Sequence, residues 1–256
     1  MVTLSFREAN LFILELRFSS SRFLNRAMLA QKRASNIMIK SKAWNWDLSI
    51  APWWEEPAAE VYPLLFKWNK MGFKKFLDLG CGIGRHSIFF ANNGFEVDAF
   101  DLGEEGVRKL DKLAKEKGLP IRSKVSDMLS LPYEDNQFDC LVAYHVIYHS
   151  DDDGIKKVIS EIKRVLKKDG EAYVTFNSQN SDSYKDLDNK HITENTIVKE
   201  KGHEAGIPHY YAKKENVENL LKDFEILEFS YKEEYYPDYM GAHYFVLVKN
   251  TKQPLP

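Results

Sequence analysis

The sequence predicts an α/β fold in which a doubly wound sheet of seven strands is mostly parallel and its last strand is antiparallel. Two observations support this prediction. Between residues 74 and 176, short apolar runs alternate with segments of helical periodicity, an order typical of a parallel sheet covered by helices on both faces. After residue 224, two strands follow each other without a helix between them, and such strands pair antiparallel.

Each element of this fold is predicted from a local pattern. The seven strands are expected at residues 74–79, 95–101, 121–125, 138–143, 172–176, 224–231 and 243–248. The clearest helix has six apolar residues at helical spacing, namely Ile155, Val158, Ile159, Ile162, Val165 and Leu166. A helix with one continuous apolar face is expected to cover the sheet. Residues 232–242 have no helical pattern and are expected to form an irregular connection.

The composition excludes several classes of protein. Of the 256 residues, 44% are hydrophobic and 29% are charged, as in an ordinary globular chain. No apolar run reaches the roughly 18 residues that suggest a membrane span. The net charge of −2 disfavours a dedicated nucleic-acid-binding protein, and DNA is not expected as a partner. Two cysteines, Cys81 and Cys140, cannot form a disulfide framework, so the cytoplasm is the expected compartment.

The first forty residues differ from the rest in charge. Residues 1–40 contain seven Lys or Arg and two Asp or Glu, a net charge of +5. They are interpreted as a basic N-terminal extension, either disordered or translated from a start codon upstream of the true one. A basic amphipathic helix at a membrane surface and an organelle presequence are the two alternatives. Residues 41–256 are predicted to form a single domain.

Two segments of this domain lie outside the regular pattern. Residues 41–72 are interpreted as an aromatic N-terminal cap because all five tryptophans lie between residues 44 and 68. These rings either attach an N-terminal helix to the core or cover a ligand cavity. Residues 177–212 are mostly polar and without a clear period, which is typical of a lid-like insertion.

The candidate binding chemistry lies at the first turn between strand and helix. Gly80, Gly82 and Gly84 allow a sharp turn and a close approach of the backbone to a ligand. Asp101 ends the second predicted strand, and Asp127 follows the third. The carboxyl ends of these strands meet in one crevice of a doubly wound sheet, where a carboxylate can accept hydrogen bonds from ribose hydroxyls. The sequence therefore predicts a site for a nucleotide-like ligand.

The glycine spacing argues against a dinucleotide. The dinucleotide fingerprint has a third glycine where this chain has Arg85. Instead, residues 77–84, Asp101, residues 126–128, the Leu131-Pro132-Tyr133 run and residues 164–167 before Gly170 resemble class I S-adenosylmethionine-dependent methyltransferases. The resemblance extends from about residue 76 to 176 and more weakly to 248. Lys168 and Asp169 depart from the Pro-Gly common in that family, at a turn remote from its cofactor.

This resemblance implies a Rossmann-like fold that binds S-adenosylmethionine. It implies that the glycine turn lies under the methionine part of the cofactor and that Asp101 holds the ribose hydroxyls. Asp127 would accept from the adenine amino group beside Met128, and Tyr144 and His145 would lie near the sulfonium. The complete set of expected cofactor-binding residues is Asp78, Gly80, Gly82, Gly84, Asp101, Leu102, Asp127, Met128, Tyr144 and His145.

The methyl acceptor is predicted to be a small molecule. Trp53 and Trp54 are expected to face residues 208–211 across the crevice and to close over the acceptor. The lid candidates are Trp53, Trp54, Tyr148, His149, His209, Tyr210 and Tyr211. Methylation of a protein or tRNA, an NAD-dependent oxidoreductase and a non-catalytic cofactor-binding module are the alternatives. The oligomeric state stays open.

No catalytic residue is assigned from the sequence. His145, His149 and His209 are candidates for a general base, which is needed only when the acceptor binds in its protonated form. The spacing of His145 and His149 would suit a metal ion on a helix, but the sequence indicates no third ligand. We therefore predict no metal.

Overall fold

The computed structural model describes residues 41–46, 54–202 and 204–251. The predictions made for residues 1–40 and for Trp53 lie outside these residues. Ten strands are described: β1 (Lys75–Leu79), β2 (Glu96–Asp101), β3 (Ile121–Val125), β4 (Phe138–Ala143), β5 (Leu166–Ser178), β6 (Lys190–His191), β7 (Thr196–Val198), β8 (Pro208–Ala212), β9 (Glu225–Tyr236) and β10 (Tyr239–Lys249). Six helices are described: α1 (Val61–Lys70), α2 (Arg85–Asn92), α3 (Glu104–Lys117), α4 (Asp152–Val165), α5 (Asp182–Lys185) and α6 (Lys214–Leu220).

The predicted fold class is confirmed. Strands β3, β2, β1, β4 and β5 lie side by side in that order and are all parallel. Strand β10 is antiparallel to both β5 and β9. The strand order reverses between β1 and β4, so their carboxyl ends border the crevice where doubly wound folds bind ligands.

The insertion contributes strands that the sequence did not predict. Strands β6, β7 and β8 form an antiparallel ribbon, and the end of β8 pairs in parallel with the last two residues of β5. In the part of the chain that the structure describes, the sheet therefore has ten strands, whereas seven were predicted. The sequence did not predict this ribbon for two reasons. Its strands are only two, three and five residues long, and residues 177–212 are mostly polar.

The last two strands are longer than predicted. Strands β9 and β10 pair from Glu225 with Lys249 up to Tyr236 with Tyr239, so only two residues connect them. The irregular connection expected at residues 232–242 is wrong. Its tyrosines favour strand conformation, and the pairing of the two strands satisfies the backbone hydrogen bonds there.

The sheet is packed on both faces. Neighbouring residues of β1 enter different hydrophobic clusters, since Phe76 packs with Val61 and Phe90 whereas Leu77 packs with Ile155. Trp68 of α1 is fully buried and donates from Nε1 to Glu171 Oε2 at 2.7 Å. This tryptophan therefore attaches the N-terminal helix to the core. Among the described residues, no helix is both long and apolar enough to cross a membrane.

Candidate functional site

The turn after β1 requires glycine at positions 80, 82 and 84, because the backbone there has a left-handed conformation. Gly80, Gly82 and Gly84 have φ values of 72°, 54° and 94°, in the left-handed region that other residues rarely adopt. A Cβ atom on Gly80 would lie 2.2 Å from Cγ2 of Val146. The turn therefore brings the backbone close to the residues that follow β4, and a side chain on Gly80 would separate the two.

Asp101 is held firmly at the end of β2. Its carboxylate is 8% exposed, and Oδ2 accepts from the Gly82 amide at 2.9 Å. Oδ1 accepts from the Gly103 amide at 2.7 Å and from Nε1 of Trp46 at 3.3 Å. Burial raises the pKa of Asp101, while these hydrogen bonds oppose that rise. The result is an oriented acceptor at the mouth of the glycine turn.

Trp46 covers the glycine turn. A Cβ atom on Gly82 would lie 2.3 Å from the Trp46 ring, so the ring lies directly against this glycine. The ring centroid of Trp46 is 5.7 Å from that of Trp54, and that of Trp44 is 6.3 Å from that of Trp54. These three tryptophans of the cap therefore cover the cavity, whereas Trp68 lies in the core.

A cavity of about 340 Å³ extends from Asp101 to the far end of the β9–β10 hairpin. Seven of the ten residues expected to bind the cofactor line this cavity: Gly80, Asp101, Leu102, Asp127, Met128, Tyr144 and His145. Asp127 also accepts from the Leu129 amide at 2.9 Å, so it fixes a turn as well as facing the cavity.

Three expected cofactor-binding residues do not line the cavity. Asp78 is 2% exposed and accepts from the Ser87 amide at 2.9 Å and from the Ser87 hydroxyl at 2.6 Å, which fastens α2 to β1. Burial raises the pKa of Asp78 to about 6. Gly82 lies under the Trp46 ring, and a Cβ atom on Gly84 would meet Cδ1 of Leu110 at 2.3 Å.

Two histidines lie in contact at the end of the cavity away from Asp101. The His145 ring centroid is 4.5 Å from that of His243, and both residues line the cavity. Burial lowers the pKa of His145 well below its usual value and lowers the pKa of His243 to about 4. His145 has a φ of 54°, and its amide donates to Oγ1 of Thr175 at 2.6 Å. Both imidazoles are therefore neutral at pH 7.

A second group of polar side chains lies beside these two histidines. Oε1 of Glu204 is 3.4 Å from Nε2 of His149 and 3.1 Å from Nε2 of His209. The other carboxylate oxygen of Glu204 pairs with Lys199. Burial raises the pKa of Glu204, but the positive charge of Lys199 contributes to holding it below its usual range. His145 and His149 therefore belong to different groups, and neither is on a helix.

The expected lid is only partly formed by the predicted residues. Trp54, Tyr148 and His149 line the cavity. Tyr210 and Tyr211 do not, because both are buried in β8, where the Tyr210 amide donates to the Tyr148 carbonyl at 2.7 Å. His209 is 1% exposed and lies behind His149, with ring centroids 4.8 Å apart.

Sequence reasoning missed the contribution of the β9–β10 hairpin. Five of its residues line the cavity: Glu234, Tyr236, Tyr239, Gly241 and His243. The signal was the tyrosine-rich run from residue 231 to 239, in which four of nine residues are tyrosine and two more are glutamate. Because this run was interpreted as an irregular connection, its position beside the crevice was not foreseen.

Comparison with known proteins identifies the fold that carries this site. Residues 76–170 match the family model of a methyltransferase domain. This stretch of the chain is similar to class I S-adenosylmethionine-dependent methyltransferases. The predicted resemblance is thus confirmed, and the matched region contains the glycine turn, Asp101, Asp127, Tyr144 and His145.

Two curated relatives match part of this chain, and one of them is named for its acceptor. An uncharacterized methyltransferase of Bacillus subtilis is 32% identical over 97 residues, covering 38% of each chain. Norajmaline N-methyltransferase of Rauvolfia serpentina is 35% identical over 95 residues, covering 36% of this chain and 32% of the relative. The chain therefore spans about a third of the length of these curated relatives.

A solved structure extends the likeness beyond the methyltransferase domain. A methyltransferase from Methanosarcina mazei aligns with 77% of this chain and all of its own, at a TM-score of 0.63 and 22% identity. This similarity concerns the fold and covers strands beyond residue 170.

Proposed function

We propose that this chain transfers a methyl group from S-adenosylmethionine to a small-molecule acceptor by direct displacement. One observation carries the proposal. The glycine turn, Asp101 and Asp127 come from the carboxyl ends of three strands, and they border the same cavity as His145, Tyr148 and the hairpin. A cofactor held at one end of the cavity would therefore present its reactive group to an acceptor at the other end.

The residues at the strand ends fit this cofactor. Asp101 offers carboxylate oxygens for the ribose hydroxyls, and its present partner on the cavity side is the Trp46 indole. Asp127 and Met128 are assigned to the adenine, and Gly80 leaves room for the methionine part. When bound, S-adenosylmethionine supplies an electrophilic methyl group. The positive helix end at Arg85 suits the cofactor carboxylate.

The chain's own part in the reaction is to orient the acceptor and to exclude water. Orientation of reacting groups supplies about 7–11 kcal/mol in favourable cases. Trp44, Trp46 and Trp54 close the cavity on one side, and Tyr236 and Tyr239 close it on another. Such an enclosure favours a small acceptor over a polymer. Norajmaline N-methyltransferase, one of the similar proteins, is named for a small-molecule acceptor.

Proton transfer is assigned to the histidine-rich end. His145 and His243 have lowered pKa values and are neutral near pH 7, so each can accept a proton. His149 faces the cavity between them and Glu204. We place the reaction in the cytoplasm, where the free thiols of Cys81 and Cys140 stay reduced.

Two measurements test the proposed function. S-adenosylhomocysteine should raise the melting temperature, with a stabilisation of about 2.7 kcal/mol at a hundred times its Kd, whereas NAD should not. A screen of metabolite pools should then find an acceptor that releases S-adenosylhomocysteine. Stabilisation by NAD alone would support the oxidoreductase, and release with tRNA or protein alone would support the polymer substrates. Binding without release from any acceptor class would leave a non-catalytic module.

A further inference from the structure

The group formed by His149, Glu204 and His209 lies outside the set of residues assigned to the cofactor. We propose that these three side chains bind one divalent transition-metal ion at the acceptor end of the cavity. A second step rests on the proposed function. The coordination positions of the ion that the protein leaves free would hold an ionisable oxygen or sulfur atom of the acceptor.

The spacing of the ligand atoms suits such an ion. Metal–nitrogen and metal–oxygen bonds of about 2.1 Å place neighbouring ligand atoms about 3.0 Å apart in an octahedron and about 3.4 Å apart in a tetrahedron. Glu204 Oε1 lies 3.1 Å from His209 Nε2 and 3.4 Å from His149 Nε2. All three ligand atoms lie within 4.8 Å of one another, so a small rotation of the partly exposed His149 ring completes the set.

The tautomer of His209 provides the decisive argument. Its Nδ1 lies 2.9 Å from the carbonyl oxygen of Ile207, and a carbonyl oxygen can only accept. Nδ1 therefore carries the hydrogen, and Nε2 of the neutral ring presents a lone pair. That lone pair faces the Glu204 carboxylate, which also only accepts. Two acceptors this close repel each other unless a proton or a metal ion lies between them. A metal-binding histidine commonly donates its other N–H to a backbone carbonyl, as His209 does, so this geometry suits a metal ion.

The surroundings leave the site open on one side only. Nε2 of His149 and Nε2 of His209 are both buried without a well-directed hydrogen bond among the described residues. His149 and Glu204 line the cavity, and His209 closes the site from behind. Lys199 binds the second oxygen of Glu204 and fixes its carboxylate. The remaining coordination positions of a bound ion therefore point into the cavity.

The donor set restricts the kind of ion. Two imidazole nitrogens and one carboxylate oxygen suit Zn²⁺, Fe²⁺, Co²⁺ or Mn²⁺ rather than Mg²⁺ or Ca²⁺, which prefer oxygen ligands. An acceptor atom bound to such an ion loses its proton to water more readily, because the positive charge stabilises the anion. The acceptor class is then a small molecule with a hydroxyl, phenol or thiol.

The test uses metal binding by the full chain and does not depend on turnover. The protein is stripped with a chelator and titrated with Zn²⁺ and with Co²⁺ by calorimetry, with visible absorption to detect cobalt bound by nitrogen and oxygen. We expect one ion per chain. Glu204→Gln and His209→Gln should each weaken binding at least about tenfold and remove the cobalt bands. His191→Gln, which changes an exposed histidine, is the matched control and should bind as the parent does.

The shift in melting temperature caused by S-adenosylhomocysteine shows that each variant is folded. No ion bound by the parent, or equal binding by parent and Glu204→Gln, would overturn the metal site. Equal weakening by His191→Gln would also overturn it, since the ions would then bind elsewhere. Metal binding without any response to S-adenosylhomocysteine would instead contradict the proposed function and leave the site intact.

Discussion

The two ends of the cavity are built in different ways. The cofactor end comes from residues 80–128, where the backbone conformation at glycines and the amides around Asp101 define the site. The acceptor end combines residues 144–149, 204–209 and 234–243, whose side chains meet through the pairing of β5, β8 and β10. A site defined by backbone conformation leaves a motif in the sequence. A site assembled from distant side chains leaves scattered residues that only the fold brings together.

The strongest test of this division is the loss of the Asp101 carboxylate. Asp101→Ala should weaken S-adenosylhomocysteine binding by about 1–3 kcal/mol, roughly five- to 150-fold, because ribose hydroxyls would lose their buried acceptor. Calorimetry of cofactor binding measures the effect. Glu104→Ala, three residues away and exposed, is the matched control and should bind normally. Unchanged affinity in Asp101→Ala would mean that the cofactor lies elsewhere in the cavity.

The acceptor end should also make the protein sensitive to acid. The pKa of His243 is lowered to about 4 by burial, from the ordinary value of 6.5. The unfolded chain therefore binds a proton that the folded chain does not, and the stability provided by the neutral ring is lost as pH falls from 6.5 towards 4. At pH 5 this loss is about 2 kcal/mol.

Removal of this imidazole tests the pH effect. The free energy of unfolding of His243→Gln, relative to that of the parent, should rise by about 2 kcal/mol between pH 7.5 and pH 5. Denaturant unfolding at the two pH values measures the difference, and the value at pH 7.5 accounts for any lost packing. Asp78 acts in the opposite direction, because its pKa of about 6 favours the folded state at low pH. Parallel pH profiles for the two proteins would show that His243 has the same pKa in the folded and the unfolded chain, which would contradict the prediction.

A third test separates acceptor binding from cofactor binding within the hairpin. Tyr239 lines the cavity, whereas Tyr235 on the opposite strand is 75% exposed and does not. Tyr239→Ala should lower kcat/KM for the acceptor about tenfold, near 1.4 kcal/mol, with cofactor affinity within about twofold. Tyr235→Ala should change neither. If Tyr239→Ala weakened cofactor binding as much as catalysis, the division between the two ends would be wrong.

The same division explains what the sequence could predict. Strands β1 to β4, the glycine turn and the acids at 101 and 127 follow from local rules of strand, turn and helix. The strands around the insertion and the hairpin differ from the prediction in number and length. Strand β5 also begins at Leu166, which was predicted to belong to the preceding helix, instead of at residue 172. Glu204 could not be predicted as a partner of His149, because their approach depends on a ribbon of strands too short to show a sequence pattern. Tyr211 was expected at the cavity, but the register of β8 turns its hydroxyl to Ser183, 2.7 Å away.

The smallest expected effect concerns Trp46, which belongs to the aromatic cap but lies on the cofactor end. Its Nε1 donates to Asp101 Oδ1 at 3.3 Å, and its ring covers Gly82, the position assigned to the cofactor. The ring and the ribose therefore compete for one carboxylate. Trp46→Ala should tighten S-adenosylhomocysteine binding about fivefold, near 1 kcal/mol, which is the usual net contribution of one hydrogen bond.

The variant Trp46→Phe distinguishes the hydrogen bond from the ring itself. It removes the indole N–H and keeps an aromatic ring over Gly82, so its affinity should fall between those of the parent and Trp46→Ala. Calorimetry with S-adenosylhomocysteine measures all three proteins under the same conditions. Weaker binding by Trp46→Ala would mean that the indole ring packs on the bound cofactor and is not displaced by it. The aromatic cap would then serve both ends of the cavity, and the boundary between them would lie beyond Trp46.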